Sequence, residues 1–221
     1  MMIRSDPMAT RAERHAMVAS QLRPNAVTDE RIVAAMASVP REDFLPPAAA
    51  LLAYRDRPIP LGHARELNPP LATGRLLNQA ELDAGDRVLL VGAAGGYAAA
   101  VLASAVAHVT ALESDPGLLA IARAALADVS NVSVVEGPLN QGWEANAPYD
   151  LLIVDGAVEE LPAGLVNQLR VGGRAVTGLI EGGVSRLAAG RKTAGGFGLA
   201  TFVDTDCVML PGFARARGFR F

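Results

Sequence analysis

From Asp86 onward the chain alternates short apolar runs with longer segments of helical spacing. Continuous apolar runs of about four to eight residues are typical of strands buried on both faces, and longer segments with apolar positions three or four apart are typical of the helices that cover them. The pattern predicts βαβ units and a mostly parallel sheet with helices on both sides. In chain order the runs are DRVLLVG, AAAVLASAVA, HVTALES, PGLLAIARAALADV, NVSVVEG and YDLLIVDG.

The regions on either side predict other elements. Residues 10–22 and 28–38 have helical spacing; Thr28 is the predicted cap of the second helix, and Pro40 ends it. The proline-rich stretch that follows is too apolar for a linker and predicts an ordered, irregular segment over the core. Near the C-terminus, RAVTGLIEGG, VSRLAAGRK and FGLATFVDTDCVML are separated by glycine-rich turns, which predict hairpin-connected strands at one edge of the sheet.

A run of 20 residues without a charge begins at Val88 and allows two interpretations. Its length matches a bilayer core, and Gly92 and Gly96 form a GxxxG pair. Three closely spaced glycines and the strand-like runs that follow instead favour a buried strand, a tight turn and a covering helix. Ligands of open α/β sheets bind beyond the carboxyl ends of strands, so this turn is a candidate binding element.

An acidic residue near that turn strengthens the prediction that the turn binds a ligand. Glu113 ends the next predicted strand, 21 residues after Gly92, where a carboxylate can accept hydrogen bonds from ribose hydroxyls. The alternative is a solvated carboxylate at a strand end. The turn lacks the second glycine of the dinucleotide pattern GxGxxG, so it favours S-adenosylmethionine, which has no phosphate, over NAD.

Composition narrows the class of protein. The chain has 221 residues, of which 51% are hydrophobic, and its net charge of −3 implies no general attraction to nucleic acid or an anionic membrane. We expect one domain, residues 1–221. In it, residues 1–80 supply N-terminal helices and a substrate-side segment, and residues 81–221 supply a cofactor-binding sheet with a C-terminal hairpin.

Cysteine and histidine usage predicts no metal site. Cys207 is the single cysteine, which excludes a disulfide within the chain and a cysteine-based zinc site. His15, His63 and His108 lie far apart without metal-ligand spacing. The polar N-terminal stretch has no signal-peptide pattern, so we expect a cytoplasmic protein.

Six motifs, in order and at matching separations, resemble the protein-L-isoaspartate O-methyltransferase family over nearly the whole chain. VPREDFLP is similar to the family's VPRExF, AYRDRPIPLG to its AY-D-PLPIG, and VLLVGAAGGYAAAVLA to its VLEIGTGSGYQAAVLA. NVSVVEGPLNQGW, APYDLLIVDGA and LVNQLRVGGRAV resemble later family segments.

The resemblance implies a class I methyltransferase fold: a Rossmann-like, mostly parallel seven-stranded sheet with an N-terminal helical extension. It implies S-adenosylmethionine as methyl donor and repair of proteins or peptides that carry isoaspartyl residues. The substrate carboxylate is itself a competent nucleophile, so catalysis rests on positioning and desolvation. Asp155, at the end of the fourth strand, is the candidate catalytic residue, with a surface strand-end aspartate as the alternative. The candidate cofactor-binding residues are Gly92, Gly95, Gly96, Tyr97, Glu113 and Gly137.

The chain departs from the family motifs where the chemistry is expected. In the stretch that matches GQTISxP, the threonine and serine are replaced by Glu66 and Asn68. Glu66 is expected to repel a substrate carboxylate, with Arg65 as an offsetting charge. On the cofactor side, Leu90, Ala94 and Pro138 replace an acid, a glycine and an aspartate, and Asp155 replaces a threonine. These changes predict cofactor binding weakened about tenfold to several hundredfold.

Three functional hypotheses follow from these motifs. The first is a working methyltransferase, the second is a non-catalytic descendant that serves as a binding or scaffold protein, and the third is a nucleotide-dependent oxidoreductase. The oxidoreductase requires a complete phosphate-binding turn, which is missing. The tail PGFARARGFRF is interpreted as packing on the domain, with partner docking as the alternative.

Overall fold

The structure is a computed structural model that describes residues 7–215 with the exception of His63. Its centre is a seven-stranded sheet in the order β5-β4-β3-β6-β7-β8-β9, and a separate two-stranded sheet pairs β1 with β2. The predicted mostly parallel sheet is confirmed, because only β8 runs opposite to the other six strands and pairs antiparallel with both β7 and β9. The strands are β1 (Ile59–Gly62), β2 (Arg65–Leu67), β3 (Arg87–Val91), β4 (His108–Glu113), β5 (Val132–Glu136), β6 (Tyr149–Val158), β7 (Leu169–Glu181), β8 (Val184–Arg191) and β9 (Leu199–Asp204).

The strand order places one connection reversal at the end of β3. This strand pairs with β4 on one side and with β6 on the other, and its last four residues are buried. Val91 lies opposite Leu112 in the parallel register, so the turn after Val91 and the residue after Leu112 emerge at the same edge of the sheet. This is the type of edge at which open α/β sheets bind ligands.

Six helices surround the sheet within the described residues. They are α1 (Pro7–Met17), α2 (Glu30–Ser38), α3 (Pro70–Gln79), α4 (Tyr97–Ala103), α5 (Pro116–Ala125) and α6 (Ala163–Asn167). The uncharged run from Val88 is β3, a tight turn and α4 rather than one long helix. No helix in the described part of the chain is long and apolar enough to cross a membrane.

Three predictions about the N-terminal half differ from the structure. The first helix ends at Met17 and continues as one π-helical turn, Val18–Leu22. The cap of α2 is Asp29 rather than Thr28, because the Asp29 carboxylate accepts a hydrogen bond from the amide of Arg31 at 2.9 Å. The proline-rich stretch contains the β1–β2 hairpin as well as irregular turns, and a helix that we did not predict, α3, begins within it at Pro70.

The C-terminal hairpins form as predicted, and the chain then turns back over the sheet edge. The amide of Ala157 donates to the carbonyl of Val208 at 2.6 Å, and the amide of Leu210 donates to the carbonyl of Ala157 at 3.0 Å. This pairing brings Leu210 and Phe213 into the core, where each is 3% exposed. The tail therefore packs on the domain up to this point; its residues 216–221 lie outside the described residues.

Candidate functional site

The glycine-rich turn at the end of β3 needs left-handed backbone at three positions. Gly92, Ala94 and Gly96 have φ of 80°, 49° and 99°. Glycine adopts these values without steric cost, whereas alanine does not, so Ala94 holds a conformation that is strained by about 1 kcal/mol. The amides of Gly92 and Ala93 both donate to the carbonyl of Leu112 at 3.0 Å, which ties the turn to the end of β4.

Glu113 lies directly beside this turn, as the parallel register requires. Its side chain is fully buried, and the Oε2 atom accepts a hydrogen bond from the amide of Ala94 at 2.8 Å. The Oε1 atom accepts hydrogen bonds from the amides of Ser114 at 2.7 Å and Asp115 at 3.0 Å. The carboxylate is thus held by backbone groups from the turn and from the segment that enters α5.

Arg65 is the charged partner of this carboxylate, and the Ser114 hydroxyl also donates to Oε1 at 3.3 Å. The Arg65 guanidinium reaches from β2 and makes a two-pronged ion pair, with Nη1 on Oε1 and Nη2 on Oε2 of Glu113, the second contact at 2.9 Å. The Arg65 side chain is 5% exposed. The expectation that Arg65 offsets the charge of Glu66 is therefore wrong for this conformation, since Arg65 points inward and Glu66 is exposed.

Like the Glu113 carboxylate, the glycine-rich turn is covered by other parts of the protein. Every residue from 91 to 99 is buried. A methyl group built on Gly92 would come within 2.8 Å of Leu210, and one built on Gly95 would overlap the carbonyl oxygen of Phe44. The C-terminal segment and the loop after α2 therefore both press on the turn, and a ligand enters only if part of this cover moves.

Tyr97 and Arg41 form a buried polar pair behind the turn. The guanidinium carbon of Arg41 lies 4.6 Å from the centre of the Tyr97 ring, and both residues are almost completely buried. The Tyr97 hydroxyl and the Nε and Nη1 atoms of Arg41 have no hydrogen-bond partner of good geometry among the described residues. Burial raises the pKa of Tyr97 to about 12, so the hydroxyl stays protonated at neutral pH. Orphaned buried polar atoms at this position fit a site that a polar ligand completes.

Gly137 is the predicted site residue nearest the end of β5. Its amide donates to the carbonyl of Glu113 at 3.1 Å, so it lies next to the carboxylate on the same sheet edge. A methyl group built on Gly137 would lie 3.6 Å from the ring of Trp143. The single tryptophan of the chain therefore borders this side of the candidate site.

Asp155 belongs to a second buried polar cluster, which we call the Asn68–Asp155 hub. The Asp155 carboxylate accepts hydrogen bonds from the Asn68 amide at 2.7 Å and from the Thr73 hydroxyl at 3.1 Å. Asn68 in turn accepts from the amide of Val208 at 2.8 Å and, through its carbonyl, from Arg41. Burial raises the pKa of Asp155, and the hydrogen bonds from Asn68 and Thr73 offset only part of this effect.

Two of the departures from the family motifs contact each other in the hub. Asn68 replaces the motif serine and Asp155 replaces the motif threonine, and their side chains bind each other in this structure. A serine at position 68 alone would remove one of the two side-chain hydrogen bonds on Asp155 and would leave the Val208 amide without its acceptor. The two substitutions therefore form one coupled change.

The structure brings together the predicted cofactor residues of the turn with Glu113 and Gly137. Asp155 is buried at the neighbouring strand end rather than on the surface, with 6% exposure. Sequence reasoning missed the part played by Arg65, Leu210 and Arg41. The spacing of residues gives no signal for Arg65, Leu210 or the burial of Arg41, which lies in the charged stretch REDFL between Pro40 and Pro46.

Comparison with known proteins matches this architecture to one family. The family model for protein-L-isoaspartate(D-aspartate) O-methyltransferase matches residues 12–205. A protein-L-isoaspartate O-methyltransferase 1 from Rhodopseudomonas palustris strain HaA2 is 42% identical over 176 residues, which cover 79% of this chain and 72% of that protein. A protein-L-isoaspartate O-methyltransferase from Gloeobacter violaceus is 40% identical over 72% of this chain and 79% of its own.

Solved structures share the fold. One protein-L-isoaspartate O-methyltransferase superposes with a TM-score of 0.76 at 24% identity, over 90% of this chain and 66% of that chain. A Plasmodium falciparum protein, described as a member of the same family and solved in complex with S-adenosyl-L-homocysteine, superposes with a TM-score of 0.72 at 20% identity, over 88% of this chain and 96% of its own. With a family model that spans most of its length, the chain belongs to the protein-L-isoaspartate(D-aspartate) O-methyltransferase family.

Proposed function

We propose that this protein transfers a methyl group from S-adenosylmethionine to the carboxylate of isoaspartyl residues in damaged proteins. The observation that carries the proposal is the 2.8 Å hydrogen bond between the Ala94 amide and Glu113. It joins the glycine-rich turn to the acid of the next strand, at the edge where the family fold binds its nucleoside. S-adenosylmethionine supplies the electrophilic methyl group.

The chain's own residues then have binding and positioning roles. Glu113 would accept the ribose hydroxyls, and the turn from Gly92 to Gly96, with Tyr97, would pack against the adenosyl group. Gly137 and Trp143 border the same side. An isoaspartyl carboxylate is already ionised and nucleophilic, so the protein needs to orient it and exclude water rather than remove a proton.

Asp155 fits a positioning role better than that of a base. Both donors on its carboxylate are neutral side chains of the hub, and these contacts fix Asn68 between β2, α3 and the C-terminal segment. We propose that the hub sets the shape of the substrate side of the site. We also propose a cytoplasmic location, which agrees with a single cysteine in no disulfide bond.

The proposal is tested by methyl transfer to a synthetic isoaspartyl peptide from S-adenosylmethionine with a tritiated methyl group. We expect base-labile label in that peptide and none in the identical peptide with a normal aspartate. Equal labelling of both peptides would show that the protein methylates a carboxylate other than that of the isoaspartyl residue. Absence of labelling, together with absence of cofactor binding, would favour the non-catalytic alternative.

Glu66 tests the substrate side separately. Glu66 is exposed, and a charge several ångströms from an incoming carboxylate repels it by about 1 kcal/mol in water. We expect Glu66→Thr to lower the KM for the peptide about twofold to fivefold with little change in kcat. Asp128→Thr removes another exposed acid and is the matched control. Equal effects of the two variants would show that only net charge matters.

A further inference from the structure

The Glu113 carboxylate has no free acceptor position in this structure. Oε1 accepts from two backbone amides, from Arg65 and, at 3.3 Å, from the Ser114 hydroxyl, and Oε2 accepts from the Ala94 amide and from Arg65. A carboxylate offers about four lone-pair positions. Ribose hydroxyls can therefore bind Glu113 only in place of the Arg65 guanidinium, and the two partners exclude each other.

A buried ion pair at this position is not explained by stability. Pairs of buried charges are often no more stabilising than an apolar pair of the same volume, because both charges lose their hydration. A carboxylate that must receive ribose hydroxyls has to remain, however, and without a ligand it would be a buried anion without a counter-charge. Arg65 supplies that counter-charge, which explains why the pair is present at this edge.

The strand that carries Arg65 lies outside the main sheet. β2 has three residues and pairs only with β1, in a two-stranded sheet whose register shifts between Pro60 and Gly62. Gly62 is exposed with φ of 88°, and a side chain there would meet nothing within 4 Å. Ile59, Leu61 and Leu67 of this hairpin are buried in the core, and Asn68 directly after β2 is held by the hub, so the Arg65 side chain leaves Glu113 by rotation about its own bonds and not by movement of the hairpin.

We propose that Arg65 is a latch on the nucleoside site: it competes with the ribose hydroxyls for Glu113 and so sets the affinity for S-adenosyl ligands. The proposal rests on the proposed function, since it presupposes that such a ligand binds at Glu113. It assigns a role to Arg65, at which the matching family motif GQTISxP has a glutamine. A closed latch lowers the apparent affinity by the fraction of molecules that are open.

The test is a titration of S-adenosyl-L-homocysteine into three proteins: the wild type, Arg65→Gln and Arg174→Gln. Arg174, which is 14% exposed, pairs with the buried carboxylate of Asp86, just before the start of β3 at the opposite edge of the sheet, and is the control. Calorimetry gives the Kd, and the fluorescence of Trp143 gives a second readout. We expect Arg65→Gln to bind at least about tenfold more tightly than the wild type, and Arg174→Gln to bind like the wild type.

The outcomes separate the latch from the function. Binding of equal or lower affinity in Arg65→Gln, with clear binding to the wild type, would overturn the latch and leave the proposed function standing. No binding to any of the three proteins at millimolar ligand would overturn both. A merely structural role of Arg65 predicts a loss of affinity, so a gain cannot arise from damage to the fold.

Kinetics of the wild type provide a test that needs no variant. If the latch must open before the ligand binds, the observed rate of the Trp143 fluorescence change reaches a plateau as the ligand concentration rises. We expect this plateau in the wild type. A rate that stays proportional to ligand concentration up to the instrument limit would contradict a latch that opens slowly enough to control entry.

Discussion

Removal of the negative charge of Glu113 is the perturbation whose effect on folding follows most directly from the structure. Glu113→Gln keeps the shape of the side chain but replaces one acceptor oxygen with an NH2 donor. Either orientation of the amide points that donor at groups that are themselves donors. On one side these are the Ser114 and Asp115 amides and the Ser114 hydroxyl, and on the other the Ala94 amide, with an Arg65 nitrogen on each side.

The loss of stability follows from the number of buried donors that Glu113→Gln leaves without an acceptor. Loss of one member of a buried ion pair costs about 3–5 kcal/mol, and each buried donor left without an acceptor adds about 1–3 kcal/mol. We expect the free energy of unfolding of Glu113→Gln to fall by about 4 kcal/mol or more. Arg65→Gln should cost less, near the lower end of that range at about 3 kcal/mol, because the carboxylate keeps its three backbone amide donors.

Urea unfolding of the wild type, the two single variants and the double variant measures these differences. The double variant has no buried charge left at positions 65 and 113, so its loss should be smaller than the sum of the single losses by about 2 kcal/mol. Equal losses in the two single variants, with additivity in the double variant, would refute the ion pair. Denaturant slopes that match among the four proteins are required for the comparison.

Three smaller predictions use the same unfolding assay. Gly95→Ala should cost more than about 2 kcal/mol because its methyl group overlaps the backbone that covers the turn, whereas Gly164→Ala, with open space around it, should be neutral or stabilising by up to about 1 kcal/mol. Ala94→Gly should be neutral or stabilising because it relieves a left-handed alanine, whereas Ala99→Gly within α4 should cost about 1 kcal/mol. Burial raises the pKa of Asp155, so the folded protein holds a proton that the unfolded chain has lost, and stability falls as pH rises from about 4 through the raised pKa. Asp155→Asn should remove this part of the pH dependence; an unchanged slope would contradict the raised pKa.

The sheet and the position of Glu113 were predictable because buried parallel strands have a recognisable sequence pattern. Strands buried on both faces are continuous apolar runs, and parallel pairing places consecutive carboxyl ends at one edge. The turn after Val91 and the acid after Leu112 are therefore neighbours for reasons that the local sequence contains. Helix α3 was missed because it begins at the second of two prolines and contains Gly74, which is typical of a loop.

The closure of the site was not predictable from local patterns. Arg65 and Glu113 are 48 residues apart, and Asn68 and Asp155 are 87 apart. An arginine pairs with whichever carboxylate the tertiary fold brings near it, and neither spacing nor periodicity specifies that choice. The same holds for Leu210, which reaches Gly92 only because the C-terminal segment pairs with the end of β6.

A crystal structure of the protein with S-adenosyl-L-homocysteine is the most direct test of the central claim. We expect the adenosyl group to lie against the turn from Gly92 to Gly96. We also expect a ribose hydroxyl within about 3.2 Å of a Glu113 carboxylate oxygen, with the Arg65 guanidinium displaced. A ligand bound elsewhere, or bound while Arg65 still holds Glu113 with both nitrogens, would contradict that claim.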